Sequence, residues 1–354
     1  MSRTDGLGPE DRYSVRSFQE CVLPASRRLV LVGGLAAAGC SSLAVTAGGV
    51  RRMDPALDGV VAPDARLERL ASGFTWSEGP VWIAEGAYLL FSDVPENRIH
   101  RWSRAGGLSV FMAPSGYDGP DPSVFREPGS NGLIAGPAGT ILMADHGNRA
   151  IARVDLATQV KTLLATHYRG ARFNSPNDLV QASNGAIFFT DPPYGLKDMD
   201  RSPLKEMAEN GVYRLDPDGD VHRLVDDLTF PNGVALSPDQ RTLYVSVSDP
   251  ARPVLMAYEL DGAGGIRGGR VFKDFAALAG PSAPGLPDGM AVDRDGRLFA
   301  TGPGGVHVLT PDGRSLGLID TAGAAANCTF GEDGRTLFIT AGDRLLRLET
   351  LTRG

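Results

Sequence analysis

Six segments of this chain follow one pattern: an acid or amide, a small residue in most copies, a short apolar run, a Gly/Asp/Asn/Pro turn and a second β-rich run. The copies open at Glu78 (EGPVWIAEGAYLLFSD), Asn131 (NGLIAGPAGTILMAD), Asn177 (NDLVQASNGAIFFTD), Asn232 (NGVALSPDQRTLYVSVSD), Asp288 (DGMAVDRDGRLFATG) and Asn327 (NCTFGEDGRTLFITAG). Their spacings of 53, 46, 55, 56 and 39 residues fall in the range where repeats build solenoids or propellers. Each copy reads as an antiparallel hairpin. Arranged around one axis, the units bring their six opening oxygen-bearing side chains together, and a ring of oxygen ligands suits a hard metal ion.

The segments between hairpins complete the count. Third strands read NRIHRWSRAG, RAIARVDLATQ, NGVYRLDPDG, VLMAYELDGAG, GVHVLTPDG and DRLLRLET, but only five fourth strands follow: LSVFMA, VKTLLA, VHRLVDD, RVFKDF and RSLGLID. A matching segment, ARLERLA at Ala65 to Ala71, instead precedes Glu78. The predicted fold is therefore all-β, a six-bladed β-propeller of four-stranded blades whose last blade is closed by this N-terminal strand, which removes an open sheet edge. The 45 glycines and 25 prolines supply the turns, and 42% hydrophobic content supports a sizeable core. A net charge of −7 and the lack of a basic cluster in the repeats exclude a nucleic-acid surface and point to a small neutral or acidic solute.

Residues 1–40 are read as an export signal. Arg27 and Arg28 form a twin-arginine pair ahead of the apolar run Leu29 to Ala38, which is too short to span a bilayer stably. Ala37-Ala38-Gly39-Cys40 resembles a lipoprotein cleavage box; a plain secretory signal cleaved nearby is the other reading. The expected location is thus periplasmic or membrane-anchored, with membrane contact only through a lipid at Cys40. Residues 41–61, rich in Gly, Ala and Ser, are expected to be a flexible tether, leaving 62–354 as the propeller. Cys328 is then the one cysteine of the propeller, expected as a packed thiol without a histidine to activate it.

Glu78, in WSEGPVW, sits in apolar company that demands a partner for its charge. Asn232 in FPNGVALSPD and Asp288 in LPDGMAVDRDG share the frame Pro-Asx-Gly; such residues often only cap turns, yet two identical frames at equivalent positions, with Glu78 at a third, exceed what turns require. Asn177, in RFNSPNDLVQ, has the same frame with Asp178 in place of glycine. Asn131 and Asn327 match less well.

Taken together in order, EGPVW, NSPND with TDPPYGL, PNG and PDG resemble the family that unites gluconolactonase, regucalcin and senescence marker protein, over about Arg66 to Leu351. The resemblance implies a six-bladed propeller that binds one divalent metal at the top of its channel and hydrolyses sugar lactones. Carried over by motif, the metal ligands would be Glu78, Asn232 and Asp288, with Asn177 touching substrate or completing the metal shell. The chain departs from the regucalcin pattern two residues before Asn177, where Ser175 replaces an arginine. Arg172 is the nearest arginine and a candidate for binding substrate hydroxyls. Asn131, Tyr194 and His146 are further substrate-binding candidates, the last two expected at the rim, with a surface loop role open for His146.

An all-oxygen donor set suits Ca²⁺ first, with Mg²⁺, Mn²⁺ or Zn²⁺ as replacements. Such an ion polarises a lactone carbonyl and acidifies water, and Asp288 is the candidate base. The expected function is metal-dependent hydrolysis of a sugar lactone. An esterase or phosphotriesterase-type hydrolase and a non-catalytic sugar-acid-binding propeller are the alternatives. No Gly-x-Ser-x-Gly elbow is present to suggest a serine nucleophile.

Overall fold

The computed structural model describes residues 48–137 and 139–354. The expected export signal, with Arg27, Arg28 and Cys40, lies outside the described residues. Six antiparallel blade sheets follow one another around a central channel, five of four strands and one, blade 5, of five. Blade 1 is built from Ser77–Ile83, Tyr88–Asp93, Arg98–Ser103 and Gly107–Met112, and its innermost strand carries Glu78. Blades 2, 3, 4 and 5 begin with the innermost strands Ser130–Ala135, Leu179–Gln181, Pro231–Leu236 and Met290–Val292. Blade 6 takes Asn327–Gly331, Thr336–Ala341 and Arg344–Glu349 from the C-terminal end of the chain and its outermost strand, Glu68–Ser72, from before blade 1. That strand pairs Glu68 with Arg347 and Ser72 with Arg344. The ring closes as the repeat count requires, with the closing strand starting three residues later than the sequence suggests.

The apolar residues segregate into six clusters, each between neighbouring blades. Val81, Leu90 and Ile99 meet Leu133, Ile141 and Met143 across the first seam, and Phe188 and Val212 meet Val234 and Val245 across the third. Each sheet is buried on both faces, so its middle strands read as continuous apolar runs. At the closing seam Trp82 stacks on Phe338, with centroids 5.6 Å apart and planes 9° from parallel.

One expectation fails. Of the supposed tether, residues 49–61 are part of the propeller. Gly49–Arg52 adds a fifth strand to the outside of blade 5, pairing Gly49 with Asp320 and Arg52 with Gly317. Pro55–Gly59 then forms a 3₁₀ turn capped by the Asp54 carboxylate on the Ala56 N–H. Leu57, Val60 and Val61 are buried in the cluster between blades 5 and 6. The small residues before them suggested a linker, but three apolar side chains within five positions are enough to dock the segment. Among the described residues, no helix is long and apolar enough to cross a membrane.

Adjacent blades are also joined by a repeated hydroxyl. The second strand of a blade carries a Ser or Thr that donates to a backbone carbonyl opening the next blade: Ser92 to Asn131 (2.8 Å), Thr190 to Asn232 (2.6 Å) and Ser246 to Asp288 (2.7 Å); in blade 5 the Gly289 N–H donates to the Ala326 carbonyl at 2.7 Å. Blade 2 has Ala144 at this position, and there the Gly132 N–H donates to the Asn177 carbonyl instead, at 2.8 Å.

Candidate functional site

The opening residues are aimed by local backbone irregularity. In blades 1, 2 and 4 the register against the second strand shifts across the opening residue and its glycine, between Glu78 and Val81, Ser130 and Leu133, and Pro231 and Val234. Such bulges re-aim a side chain out of the alternating pleat. Glycine follows for a steric reason: a Cβ at Gly79 would run into the Asn131 carbonyl, and one at Gly233 into that of Asp288.

The result is a cavity of about 560 Å³ at one mouth of the channel, lined by Glu78, Asn131, Asn177, Asn232 and Asp288, five of the six opening residues. Tyr194 also lines it, its ring stacked on Phe230 at 5.9 Å. The sixth opening residue, Asn327, lies deeper, against Gly289, in an apolar stretch of channel with Val81, Leu133 and Met290. Cys328 is a packed thiol: it donates to the Phe299 carbonyl at 3.2 Å, and burial pushes its pKa up to about 12.

Arg172 does not line the cavity. It sits on the short hairpin His167–Tyr168 and Ala171–Arg172, where its guanidinium donates to the Asn148 carbonyl at 2.7 Å and its N–H to Glu206. His146 is neither at the rim nor on a surface loop; it is fully buried behind Asn131, with Nε2 3.4 Å from the Asn131 amide.

Three lining residues with charged or hydroxyl side chains went unrecognised in the sequence. Glu127 and Arg126 enter from the loop before blade 2, with 2.8 Å between Arg126 Nη2 and Glu127 Oε1. Glu127 in FREPGSNG is framed by Phe125 and Pro128 much as Glu78 is framed by Trp76 and Pro80, a signal masked by its position four residues ahead of a repeat opening. The third, Ser248, follows the second strand of blade 4 and has no counterpart in the repeat pattern.

The electrostatics of the floor are unusual. Burial raises the Glu78 carboxyl to about 8; the bond from the Gly79 N–H opposes the rise, the charges of Asp178 and Glu127 add to it, and the Asn327 side chain opposes it least. Asp288 is also raised well above the usual carboxylate range, by burial first and then by Glu78. Asp178, which accepts from the Leu179 and Val234 N–H groups, is raised to about 7 by burial. Carboxyls crowded out of water in this way ionise together only beside a positive charge.

Asn232 adds an independent observation. Ser248 Oγ has one proton, and it goes to the Pro287 carbonyl, which can only accept. Ser248 Oγ must therefore accept from Asn232, so the amide NH₂ faces it at 2.8 Å. That leaves Asn232 Oδ1 buried without a protein partner. An orphaned amide oxygen in one cavity with two carboxyls that have no ion-pair partner among the described residues is a donor set that fits a hard divalent cation. Glu78, Asn232 and Asp288 would hold it, with Asn177 on the same wall.

Fold and site together define a six-bladed β-propeller with an acid-and-amide cup at its channel mouth. Comparison with known proteins gives the lineage. Residues 76–343 match the SMP-30/Gluconolactonase/LRE-like region, and the chain belongs to that family. It is 46% identical over 313 residues to a gluconolactonase of Zymomonas mobilis, covering 87% of this chain and 88% of that one. A solved gluconolactonase from Xanthomonas campestris superposes with a TM-score of 0.73 at 38% identity, over 85% of this chain and 95% of that one. The calcium-binding regucalcin of Agrobacterium tumefaciens, 21% identical, shares the fold with a TM-score of 0.64 over 81% and 94% of the two chains.

Proposed function

We infer that the protein is a lactone-hydrolysing enzyme, a carboxylic-ester hydrolase acting on a sugar lactone, and that the channel-mouth cup is its active site. Kinship with gluconolactonases over most of both chains supports the reaction class. The observation that carries the location is the orphaned Asn232 oxygen in the cavity that collects five repeat openings, together with the Glu78 and Asp288 carboxyls, which have no cationic side-chain partner among the described residues.

Glu78, Asn232 and Asp288 would hold a divalent cation there, Ca²⁺ by the donor chemistry, and when bound it would supply Lewis-acid polarisation of the lactone carbonyl. The chain's own groups do the rest. Asp288 takes a proton from water as its oxygen adds to the carbonyl carbon. The ring C–O bond then breaks, and Asp288 returns the proton to the departing ring oxygen, giving the open hydroxy acid. Tyr194 is held in its neutral form, because burial pushes its phenol up, so it can donate to a substrate oxygen. Trp76 and Leu286 restrict water on the wall.

The test is a panel of aldonolactones and simple esters, assayed by proton release on chelated and metal-restored protein. Turnover of lactones that vanishes on chelation and returns with Ca²⁺ is expected; lactone turnover indifferent to chelation refutes metal dependence. The export signal remains a proposal that rests on Arg27, Arg28 and the run to Ala38. Recovery of the intact N-terminus in the cytoplasm would refute it.

A further inference from the structure

We propose that the Arg126–Glu127 pair recognises the ring hydroxyls of the lactone and so sets a preference for polyhydroxylated over unsubstituted rings. The proposal rests on the lactonase reading.

Among the described lining residues Arg126 is the only cation, facing three acids, and two of those, Glu78 and Asp288, lie on the floor. The third is its own neighbour. Arg126 Nη2 engages Glu127 Oε1 at 2.8 Å, Nη1 lies 3.5 Å from the Met199 sulfur, and the side chain is half exposed. Glu127 Oε2 faces His146 Nδ1 at 3.4 Å, outside hydrogen-bond geometry. The pair thus keeps guanidinium N–H groups whose contacts are the Glu127 carboxylate and the weakly accepting Met199 sulfur, beside a carboxylate oxygen, Glu127 Oε2, that accepts no hydrogen bond among the described residues. Two adjacent hydroxyls, each able to donate and accept, are the chemistry that answers such a pair.

The pair is held rigidly. The N–H groups of Arg126 and Glu127 both donate to the Gly195 carbonyl, at 2.9 and 3.3 Å, and Phe125 bridges to Leu196 in strand fashion. The Gly195 loop is pinned in turn by Ser175, whose hydroxyl accepts from the Gly195 N–H at 2.9 Å and donates to the Pro192 carbonyl at 2.6 Å. Two loops from different blades therefore lock together and present Arg126, Glu127 and Tyr194 on one wall. Groups fixed before binding lose little entropy on binding. A ring lacking hydroxyls would leave Glu127 Oε2 without a donor, since Arg126 engages only Oε1, which selects against it.

The experiment compares wild type with Arg126→Met and Glu127→Gln on glucono-δ-lactone and δ-valerolactone, with D-gluconate binding measured calorimetrically at the same Ca²⁺ concentration. Each substitution keeps side-chain bulk and removes the charge. For the sugar lactone, kcat/KM should fall about 10- to 100-fold, the loss of one charged hydrogen bond, chiefly through KM. Turnover of δ-valerolactone, which reports any change in the field at the floor, should move less than about 3-fold, and gluconate affinity should fall with the sugar lactone. Equal losses on both lactones, or no loss on either, overturn the proposal. If wild type opens neither lactone, the lactonase reading falls; the pair is then judged on gluconate alone, weakened binding in Arg126→Met upholding it and unchanged or absent binding overturning it.

Discussion

Replacing Ser248 with Ala tests the logic of the cup at a residue that would not itself touch the cation. The Ser248 hydroxyl ties two blades together: it accepts from the Asn232 amide and donates to the carbonyl of Pro287, next to Asp288. Without it the amide NH₂ loses its acceptor, and nothing prevents the side chain from turning that NH₂ toward the site. Loss of such an orienting partner typically weakens metal affinity 10- to 100-fold, or about 1.4 to 2.7 kcal/mol. The fold should suffer modestly: the two half-buried hydrogen bonds lost are together worth about 2 kcal/mol, or about 4 °C of Tm in a domain of this size. Titration calorimetry with Ca²⁺ separates the two, and excess Ca²⁺ should restore activity. Wild-type Ca²⁺ affinity in Ser248→Ala would refute the claim that this hydroxyl fixes the amide and that Asn232 Oδ1 is a ligand.

Glu78→Gln should weaken Ca²⁺ binding yet regain most lactone turnover at high Ca²⁺, whereas Asp288→Asn loses a base as well and should stay about 10²- to 10⁴-fold down; equal recovery in steady-state assays would show that Asp288 is not the base. Leu57→Ala empties a fully buried site packed on Gly317 and should destabilise by about 2 to 5 kcal/mol, read as a lowered Tm; a change under about 0.5 kcal/mol would return residues 49–61 to tether status. His307 is buried, bonded through Nε2 to the Pro303 carbonyl, and burial depresses its pKa from 6.5 to about 4. The unfolded chain therefore takes up the proton first as pH falls, so stability is intact above pH 6.5 and drops by about 3 kcal/mol on the way to pH 4. Denaturant melts of His307→Phe should lose that slope, and an unaltered slope would contradict the assignment.

The repeat spacing and the missing sixth outer strand made the ring and its closure legible, because blade architecture leaves a periodic trace that needs no tertiary information. The floor was legible for the same reason: Glu78, Asn131, Asn177, Asn232 and Asp288 occupy equivalent positions, and symmetry brings equivalent positions together. What broke the symmetry was invisible. Arg126 and Glu127 reach the cavity on a loop whose course depends on the Gly195 loop of another blade. Arg172 looked close in sequence to Asn177 but is drawn off by the Asn148 carbonyl. His146 follows a strand end as a rim residue would, yet the chain folds back over it. Residues 49–61 docked because blade 5 offered an unpaired edge, which composition alone does not reveal.

The hydroxyl joints between blades divide labour within single residues. Where Ser92, Thr190 and Ser246 grip Asn131, Asn232 and Asp288, they do so by the main-chain oxygen, common to every amino acid. The ring's mechanical continuity therefore makes no demand on what hangs from those positions. A side chain there can be exchanged, charged or neutral, without loosening the scaffold that presents it. Such a layout lets a lineage explore new chemistry at the channel mouth while its architecture stays shielded from the search.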